Sequence, residues 1–387
     1  MKNIVMIGGH DETFMHYNGL GFDFTVLQLP DSVGPNLTAL TDRIHLVNDF
    51  SEATVLARME EVLLSQSVDF IFSFTEDGLL PAALASKHFA IPGMDYDTCE
   101  RCIDKASMRS HLAGSEFAVT SKTCHNHAEV EQLLVSHPSG IVLKDPKGSG
   151  SENVFIIKDR TALHDALSRI GQAPFTLLAE EFLNGREVSV ETLTIDSRHR
   201  VLAVTNKQLY GTSLAEEQHI ISPDNVDQQT FENISGYCER LLTAIDHKHG
   251  PCHIEIMISG NNLHLVEINN RVGGDYIGLL VELTTGVDLF RETLSFHSTI
   301  NGSTPDNLPE RYTFAGSHLF YEPVNPDVIR DYMQEVDIIR LIMGDANPPL
   351  DRPHTNDDKV GLLVIASDDR DKFYRAITRL NTLTSAN

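Results

Sequence analysis

The stretch HIEIMISGNNLHLVEINNRVGGD, residues 253–275, has the pattern of a β-hairpin followed by a glycine-containing turn. Two runs rich in Ile, Leu and Val flank Gly260-Asn261-Asn262, whose residues tolerate the positive φ that a short hairpin loop demands. Counting back along both strands from a three-residue loop places Glu255 opposite Glu267. We therefore expect two carboxylates to face each other on neighbouring strands.

The two-residue period of a strand assigns these side chains to different faces of the hairpin. We expect one face to be apolar core, formed by Ile254, Ile256, Ile258, Val266 and Ile268. We expect the other face to carry Glu255, Glu267 and Asn269.

Two ionised glutamates in direct opposition destabilise a sheet unless a cation lies between them. Two carboxylates and one amide oxygen suit Mg²⁺, which keeps several waters and is usually completed by substrate phosphates. The hairpin therefore predicts a metal site that serves a nucleotide. The alternative is a solvent-facing strand whose acidic residues have no shared role.

Length and composition indicate a globular protein of two or three domains. The chain has 387 residues, more than one ordinary hydrophobic core supports, with 41% hydrophobic and 22% charged residues. Its five cysteines have no regular spacing, and Cys99 and Cys102 lack a second pair nearby that would complete a zinc site. These features favour free thiols in a reducing cytoplasm.

Charge and hydropathy limit the classes of partner. The chain has 55 acidic and 30 basic residues, and its formal charge of −25 repels polyanions, so we expect no nucleic-acid partner. No apolar run reaches the roughly 18 residues of a membrane span, and the N-terminal MKNIVMIGGH lacks the apolar region of a signal peptide. We expect a cytoplasmic protein with no membrane partner.

Residues 1–95 alternate strand and helix signals, which indicates a doubly wound α/β domain. The predicted strands are Asn3–Ile7, Phe24–Leu27, Ile44–Val47 and Val68–Phe74, and the predicted helices are Val55–Leu64 and Leu79–His88. Glu76 and Asp77 follow the last strand, where they would line a substrate cleft or else form an ordinary helix N-terminal turn. A helix over Asp95–Leu112 is predicted next.

A strand, loop and strand pattern spans residues 140–158. The strand Gly140–Lys144 leads into the Gly- and Ser-rich loop Asp145–Ser151, and a second strand covers Val154–Lys158. Free backbone N–H groups of such a loop can fold over phosphates, and Lys144 adds a positive charge at its edge. A mobile hairpin tip is the alternative.

Two further segments carry acidic residues after short strands. The extended connector Glu180–Glu187 offers backbone groups to an adenine and a carboxylate to ribose hydroxyls, or else it is an acidic turn. Lys207 begins a loop that contains Glu216, Glu217 and His219. This loop is either a lid or substrate loop or a plain solvated loop.

The turn after the hairpin, Asn270–Asp275, combines a cation, two glycines and a residue that can cap a helix. Arg271 is placed to bind phosphate or carboxylate through two hydrogen bonds. Gly273 and Gly274 free the backbone to approach a ligand, and Asp275 would cap the next helix. Beyond residue 300 we predict strands at Tyr312–Leu319, Val336–Met343 and Gly361–Ser367, and a last helix from Asp369 to about Leu380.

Taken in order, these segments resemble the ATP-grasp superfamily over roughly residues 1–300. The matching features are Lys105, Lys144 with GSGS, EEFLNGRE, HIEI, and LVEINNR with GGD. The chain is most similar to carboxylate-amine ligases such as the L-amino acid ligases, and PHTNDDKVGLLVIA resembles, more loosely, the small domain that closes those enzymes.

The resemblance implies a multidomain fold of α/β and α+β type. A doubly wound N-terminal α/β domain would cover residues 1–95. An ATP-grasp fold would cover 96–300, with a nucleotide lid at about 115–185 and a metal and catalytic core at 186–300. A small C-terminal α+β subdomain, 301–387, would close the substrate site.

The resemblance also implies roles for single residues. Arg271 would stabilise the transferred phosphoryl group and the tetrahedral intermediate, and Lys207 would be a second catalytic residue that contacts phosphate or substrate. ATP would be bound by Lys105, Lys144, Gly148, Ser149, Gly150, Ser151, Glu180, Glu181, Phe182, Leu183 and Glu187. Two Mg²⁺ ions, or Mn²⁺ in their place, would be bound by Glu255, Glu267 and Asn269, and substrate by Gly273, Gly274, Asp275 and Glu217.

The activity that the resemblance implies is ATP-dependent ligation of a small-molecule carboxylate to an amine, with amino acids as candidate substrates. The carboxylate would be activated as an acyl phosphate, and an amide or peptide bond would form. A homodimer is also implied. The alternatives are a purine-biosynthesis-type or bicarbonate-activating ligase of the same fold, and a nucleotide-binding regulator that has lost catalysis.

Overall fold

The computed structural model of the chain describes residues 2–148, 150, 153–171, 175–211, 213–295, 311–344 and 355–385. These residues form three sheets with helices packed against them. Within these ranges, no helix combines the length and the apolar character needed to cross a membrane. The predicted phosphate-loop residues Ser149 and Ser151 lie outside the described residues.

The N-terminal sheet is parallel, as the doubly wound prediction requires. It contains β1 (Lys2–Ile7), β2 (Phe22–Gln28), β3 (Ile44–Leu46) and β4 (Phe70–Phe72). The strand order is β3-β2-β1-β4, and every pairing is parallel. The strands are connected by α1 (Pro35–Leu40), α2 (Glu52–Ser65), α3 (Glu76–Phe89) and 3-10 turns at Asp11–Tyr17 and Pro30–Ser32. Connections of this kind place Glu76 at the carboxyl edge of the sheet, where ligands of open α/β sheets bind.

Residues 95–112 form two helices instead of the single predicted one. Helix α4 (Tyr96–Ile103) ends before Asp104, and α5 (Lys105–His111) begins directly after it. The Asp104 carboxylate accepts hydrogen bonds from the backbone N–H groups two and three residues later, at 2.9 and 3.1 Å. This N-cap satisfies the start of α5 and interrupts the longer helix, so Lys105 lies in a first turn.

The second sheet is antiparallel, and its strands follow α5 and precede the third sheet in the sequence. It contains β5 (Ser121–Cys124), β6 (Ile141–Lys144), β7 (Phe155–Ile157) and β8 (Leu177–Glu181), in the order β5-β8-β6-β7. Helices α6 (His127–Ser136) and α7 (Arg160–Ile170) cover it through a shared apolar cluster that includes Val130, Leu143 and Leu163. The predicted strands around the glycine loop are β6 and β7, and Lys144 is the last residue of β6.

The third sheet is antiparallel and has eight strands among the described residues. They are β9 (Arg186–Ile195), β10 (Arg198–Leu209), β11 (Glu216–Ile221), β12 (Gly250–Ser259), β13 (Asn262–Asn269), β14 (Phe314–Phe320), β15 (Asp337–Met343) and β16 (Gly361–Ser367). Their order is β13-β12-β9-β10-β11-β14-β16-β15. The three C-terminal strands therefore extend the sheet from β11 and share its hydrogen bonds.

Helices cover this sheet from several points of the chain. They are α8 (Gln228–Ala244), α9 (Ile277–Thr285), α10 (Leu289–Ser295), α11 (Pro326–Tyr332) and α12 (Arg370–Ser385), with a 3-10 turn at Asn356–Asp358. Ile234, Cys238 and Leu242 of α8 are fully buried against the hairpin strands. Phe373 of α12 is equally buried against β14 and β16.

The hairpin turn is shorter than the sequence predicts. Ser259 pairs with Asn262, so the loop has two residues, Gly260 and Asn261. Gly260 adopts a φ of 60°, which a two-residue hairpin turn requires at its first position.

A β-bulge in β13 then restores the predicted pairing of the two glutamates. Val266 is the extra residue, because Leu265 pairs with Ile256 while Glu267 pairs with Glu255. The expectation that Val266 lies in the core is wrong: Leu265 is fully buried there, and Val266 is half-buried. The shorter turn and the bulge offset each other, so Glu255 and Glu267 are opposite each other as predicted.

Candidate active site

The two glutamates and Asn269 lie together on one face of the hairpin. Glu255 and Glu267 are a direct cross-strand pair, and their side chains are each 19% exposed. The Asn269 amide nitrogen donates to Glu267 Oε1 at 3.2 Å. The structure thus brings the three predicted metal ligands together, while Ile254 and Ile268 of the same strands are buried on the other face.

Lys207 supplies a positive charge to this face. Its Nζ lies 2.5 Å from Glu216, 2.6 Å from Glu255 and 3.2 Å from Glu187. Burial alone would lower the pKa of Lys207, but the three carboxylates outweigh burial and raise it well above its usual value. A buried ammonium group therefore neutralises part of the charge that Glu255 brings to the hairpin.

His253 and Glu191 form a buried ion pair beside Glu255. They are opposite each other on β12 and β9, with His253 Nδ1 3.0 Å from Glu191 Oε2 and His253 Nε2 3.5 Å from Glu255 Oε1. Burial lowers the pKa of His253, but the two carboxylates raise it to about 10. Gly273 packs against this ring so closely that a Cβ atom there would lie 2.7 Å from Nδ1.

Lys105 connects the glycine loop to the second glutamate. Its Nζ donates to the carbonyl oxygen of Gly148 at 2.6 Å and lies 3.1 Å from Glu267 Oε1. Its backbone N–H donates to Pro146 O at 2.8 Å. Lys105 is buried, so the loop, the first turn of α5 and the hairpin meet at one ammonium group.

Lys144 belongs to a second buried cluster, which joins the second sheet to α5 and the hairpin. Glu180 accepts from Lys144 Nζ at 2.7 Å and from Arg109 Nε at 2.6 Å. Burial would raise the pKa of Glu180, but the two cations outweigh burial and lower it. Arg109 also donates to the carbonyl oxygen of Val266, the bulge residue, at 2.8 Å. A side chain of α5 therefore binds the backbone of the bulge.

The connector after Glu180 is held by backbone contacts. Glu181 N–H donates to Thr120 O at 2.9 Å, and Phe182 N–H donates to Gly140 O at 3.1 Å. The carboxylate of Glu187, which we assigned to a ribose, is bound to Lys207. The assignments of Glu180 to Leu183 to an adenine and of Glu187 to a ribose stay predictions.

Arg271 binds an acidic residue of the N-terminal domain. Its Nε contacts the carboxylate of Glu76, and it donates a hydrogen bond to its neighbouring carbonyl, Val272 O, at 3.1 Å. The Arg271 side chain is 19% exposed and that of Glu76 is 36% exposed, so both are accessible. Glu76 thus reaches across to the turn that follows the hairpin, in addition to starting α3.

Asp275 does not cap the helix that follows it, contrary to the prediction. The residue before α9 is Tyr276, and no side chain caps this helix in the described part of the chain. The Asp275 backbone has a φ of 51°, and its carboxylate contacts Lys359 Nζ at 3.1 Å and Asn356 Nδ2 at 3.3 Å. The N-cap position belongs to Tyr276, and the Asp275 carboxylate binds the C-terminal segment instead.

Glu216, Glu217 and His219 lie on a strand, so the predicted loop is wrong. They belong to β11, which pairs on one side with Lys207 and its neighbours in β10 and on the other with β14. Asn356 donates to Glu216 Oε2 at 2.9 Å and accepts from the Glu216 backbone N–H at 2.8 Å. Glu217 is 7% exposed and accepts from Gln208 at 3.2 Å.

A comparison with protein families identifies the central part of the chain. A family model described as an ATP-grasp domain matches residues 137–278. This range contains Lys144, Lys207, Glu255, Glu267 and Arg271. The chain carries an ATP-grasp domain.

Solved structures with an ATP-grasp fold match the whole chain. The L-amino acid ligase from Bacillus licheniformis superposes with a TM-score of 0.80, at 20% identity, over 99% of this chain and 97% of that one. Phosphoribosylglycinamide synthetase from Anaerococcus prevotii superposes with a TM-score of 0.69, at 14% identity, over 98% of each chain. At these identities the likeness shows the fold.

Curated relatives match this chain over part of its length. Carnosine synthase 1 from Mus musculus is 24% identical over 247 residues, which are 57% of this chain and 30% of that protein. The uncharacterized protein y4rH from Sinorhizobium fredii (strain NBRC 101917 / NGR234) is 25% identical over 217 residues, 53% of this chain and 44% of that protein. The chain thus spans less than half the length of these relatives.

Four residues around the candidate site had no predicted role. Arg109, His253 and Glu191 had a usable signal: Arg109 is one helical turn after Lys105, His253 is two residues before Glu255, and Glu191 is four residues after Glu187. Those spacings place each on the same face as a predicted ligand. Asn356 had none, because it reaches Glu216 from 140 residues away.

Proposed function

We propose that this chain is an ATP-dependent ligase that activates a substrate carboxylate as an acyl phosphate and couples it to an amine. The observation that carries the proposal is the pair Glu255 and Glu267 with Asn269 on one hairpin face, between Lys105 on one side and Lys207 on the other. Paired carboxylates flanked by cations suit a site where metal ions and phosphates meet.

The residues fit Mg²⁺ as the resident metal. Glu255, Glu267 and Asn269 carry hard oxygen donors on one face, and each carboxylate is paired with an ammonium group, Glu255 with Lys207 at 2.6 Å and Glu267 with Lys105 at 3.1 Å, which supports a role in binding cations. We propose that these three residues hold two Mg²⁺ ions. When bound, Mg²⁺ would offset the negative charge of the ATP phosphates.

We propose that the lysines position ATP and that Arg271 serves the transfer. Lys105 and Lys144 bind phosphate oxygens, and the loop at Gly148, tied to Lys105 Nζ, folds over them. The substrate carboxylate attacks the terminal phosphorus, the bond to the bridging oxygen breaks, and ADP leaves. Arg271 binds the transferred phosphoryl group and offsets its charge.

The second half of the proposed reaction is aminolysis. The amine attacks the acyl carbon, Arg271 and the backbone at Gly273 and Gly274 stabilise the oxyanion, and phosphate leaves as the amide bond forms. Closure of this loop would exclude water, which would otherwise hydrolyse the acyl phosphate. For this role the Arg271 guanidinium must break its contact with the Glu76 carboxylate, or bind that carboxylate and the substrate at the same time.

We propose amino acids as the substrates. Two similar proteins support this choice by name, an L-amino acid ligase and a carnosine synthase. The proposed substrate space lies between Glu76, the turn that holds Asp275, and the segment that carries Asn356 and Lys359. Charged groups of both signs meet there, as the ammonium and carboxylate of an amino acid require.

ADP release separates the candidate functions. The purified chain is given ATP and Mg²⁺, with and without a pool of amino acids, and in parallel with bicarbonate or formate. Release that depends on amino acids supports the proposal, and release that depends on bicarbonate or formate supports a purine-biosynthesis-type ligase. ATP binding without turnover under any condition would indicate a regulator and overturn the proposal.

A further inference from the structure

The turn after the hairpin ends in two consecutive residues with left-handed backbone. Asp275 has a φ of 51° and Tyr276 a φ of 65°. In this conformation Cβ crowds the backbone, so glycine adopts it freely, aspartate occasionally and tyrosine rarely. Among the described residues, the other adjacent non-glycine pair is Asp196 and Ser197, in the two-residue turn between β9 and β10, where such backbone is ordinary. Tyr276 is not in a hairpin, so its conformation needs support from outside the turn.

Glu12 of the N-terminal domain holds the Tyr276 side chain. The Tyr276 hydroxyl donates to Glu12 Oε2. Burial and the Glu12 carboxylate raise the pKa of Tyr276 to about 12, so the hydroxyl stays protonated and can donate. Glu12 lies in the 3-10 turn Asp11–Tyr17, and the Asp11 carboxylate accepts two backbone N–H groups at the start of α1, at 3.2 and 2.9 Å. The support for Tyr276 therefore comes from a fixed element at the other end of the chain.

Arg340 of β15 binds the same carboxylate oxygen from the C-terminal segment. Arg340 Nη2 lies 3.0 Å from Glu12 Oε2, and the guanidinium carbon lies 5.6 Å from the centre of the Tyr276 ring. A β-bulge immediately before Arg340, with Ile339 as the extra residue, sets the direction of this side chain. A single exposed ion pair contributes little, but here a hydroxyl, a carboxylate, a guanidinium and an aromatic ring bind one another.

Asp275 is held by different residues of the C-terminal segment. Its carboxylate lies 3.1 Å from Lys359 Nζ and accepts from Asn356 Nδ2 at 3.3 Å, and its side chain is mostly buried. Both left-handed residues therefore depend on partners that are distant in the sequence. These contacts form only when the N-terminal domain, the hairpin and the C-terminal strands are packed together.

The same turn carries groups of the proposed reaction. Arg271 and the backbone of Gly273 and Gly274 directly precede the two left-handed residues. A change in the backbone at Asp275 and Tyr276 would therefore displace the groups that we propose to bind the phosphoryl group and the oxyanion. A displacement of about 1 Å can cost roughly 100-fold in rate, even when its origin is far from the reacting atoms.

We propose that Glu12 and Arg340 are positioning residues for the ligation. They hold Tyr276 in its left-handed conformation, and through it they fix Arg271 and the backbone at Gly273 and Gly274. This role rests on the proposed function, and it adds two residues that lie outside the proposed ATP, metal and substrate contacts. The C-terminal strands would then contribute to the rate through the turn.

Amide hydrogen exchange of the full chain, measured by mass spectrometry, tests the anchor without catalysis. The reporters are the N–H groups of Ile277 and Leu280, which form the first backbone hydrogen bonds after the turn, at 2.9 and 3.1 Å. Tyr276→Phe should speed their exchange about tenfold, the value of a hydrogen bond to a charged group, and Arg340→Met should speed it less. Arg330→Met, which breaks an exposed ion pair on α11, should leave it unchanged. Unchanged exchange in both Tyr276→Phe and Arg340→Met would overturn the inference.

Steady-state kinetics of amino-acid-dependent ADP release test the role in the reaction. Tyr276→Phe and Arg340→Met should lower kcat about tenfold and leave the KM for ATP within about twofold of wild type. Glu12→Gln should give a similar loss, and combining it with Arg340→Met should add little, because the two residues act as one unit. Arg330→Met should keep the wild-type kcat.

The outcomes separate this role from the proposed function. A wild-type kcat in the folded variants, or a rise in the KM for amino acids alone, would overturn the positioning role and leave the proposed function intact. A wild-type chain that releases no ADP in response to amino acids would overturn the proposed function and this role with it.

Discussion

The buried triad of Lys144, Glu180 and Arg109 joins the second sheet to α5, and its central charge can be removed without changing its shape. Glu180 lies 2.7 Å from Lys144 and 2.6 Å from Arg109, and the three residues are at most 6% exposed. Glu180→Gln leaves two buried cations without a counter-ion. Because solvent cannot screen groups at this depth, we expect the loss typical of a broken buried pair, about 3–5 kcal/mol in the free energy of unfolding.

Urea unfolding followed by circular dichroism measures this loss, and Glu181→Gln is the matched control. The Glu181 carboxylate accepts a hydrogen bond from the backbone N–H of Thr120 at 2.9 Å, and a glutamine oxygen can accept the same bond. We therefore expect Glu181→Gln to change the free energy of unfolding by less than about 0.5 kcal/mol. Equal losses in the two variants would refute the assignment of a structural ion triad to Glu180.

The pH dependence of the free energy of unfolding, compared between wild type and Glu180→Gln, gives a second test. Because the pKa of folded Glu180 is lowered, its ionised form stabilises the native state above the ordinary glutamate pKa of 4.5, and this contribution is lost as the pH falls through the lowered value. Glu180→Gln has no such group. The stability difference between wild type and Glu180→Gln should therefore shrink with acidification below about 4.5, and a difference that stayed constant would contradict the assignment.

Three further changes probe the hairpin and its neighbours. Glu267→Gln should lower ADP release at least about 100-fold while the chain still folds, since a metal-binding charge is lost and the shape is kept, and the melting temperature should fall because buried Lys105 loses its ion pair. Gly273→Ala should cost about 1–3 kcal/mol of stability, because its Cβ would lie 2.7 Å from His253 Nδ1. Lys207→Met should make the melting temperature rise more with added Mg²⁺ than in wild type, because the ammonium no longer competes for Glu255.

For each of these three changes we give a control or a result that would contradict the prediction. Glu232→Gln on the exposed side of α8 should retain full ADP release, and near-normal release in Glu267→Gln would show that the metal pair is misassigned. Gly274→Ala should be neutral, since nothing lies within 4 Å of its Cβ position, and equal effects of the two glycine changes would refute the contact with His253. A Mg²⁺ response in Lys207→Met no larger than in wild type would place the metal away from Glu255.

The sequence alone predicted which acidic residues share a face of the hairpin. Alternation of apolar and acidic residues predicted the shared face of Glu255 and Glu267, because a strand face is a local property with a fixed period. The turn length and the bulge were not predictable in the same way. Each shifts the register by one residue, and the bulge at Val266 is held by Arg109, which belongs to a helix 157 residues earlier.

The remaining errors come from partners that are distant in the chain. The segment with Glu216 was expected to be a loop because its local composition is acidic, but it is a strand that pairs with β14, with Gln218 opposite His318. Tertiary pairing outweighs the low strand propensity of glutamate. Likewise, Asp275 has the composition of a helix cap, yet its carboxylate binds Lys359 of the C-terminal segment.

The continuity of the third sheet has a consequence for engineering. Removing everything after α10 would leave the backbone of β11 without its neighbour β14, and such an open edge invites association between molecules. The same strand carries Glu216, whose carboxylate touches Lys207. A chimera that takes the segment after α10 from another protein would therefore replace part of the scaffold that positions Lys207, and a graft meant to change only the C-terminal strands would also change the surroundings of Glu255.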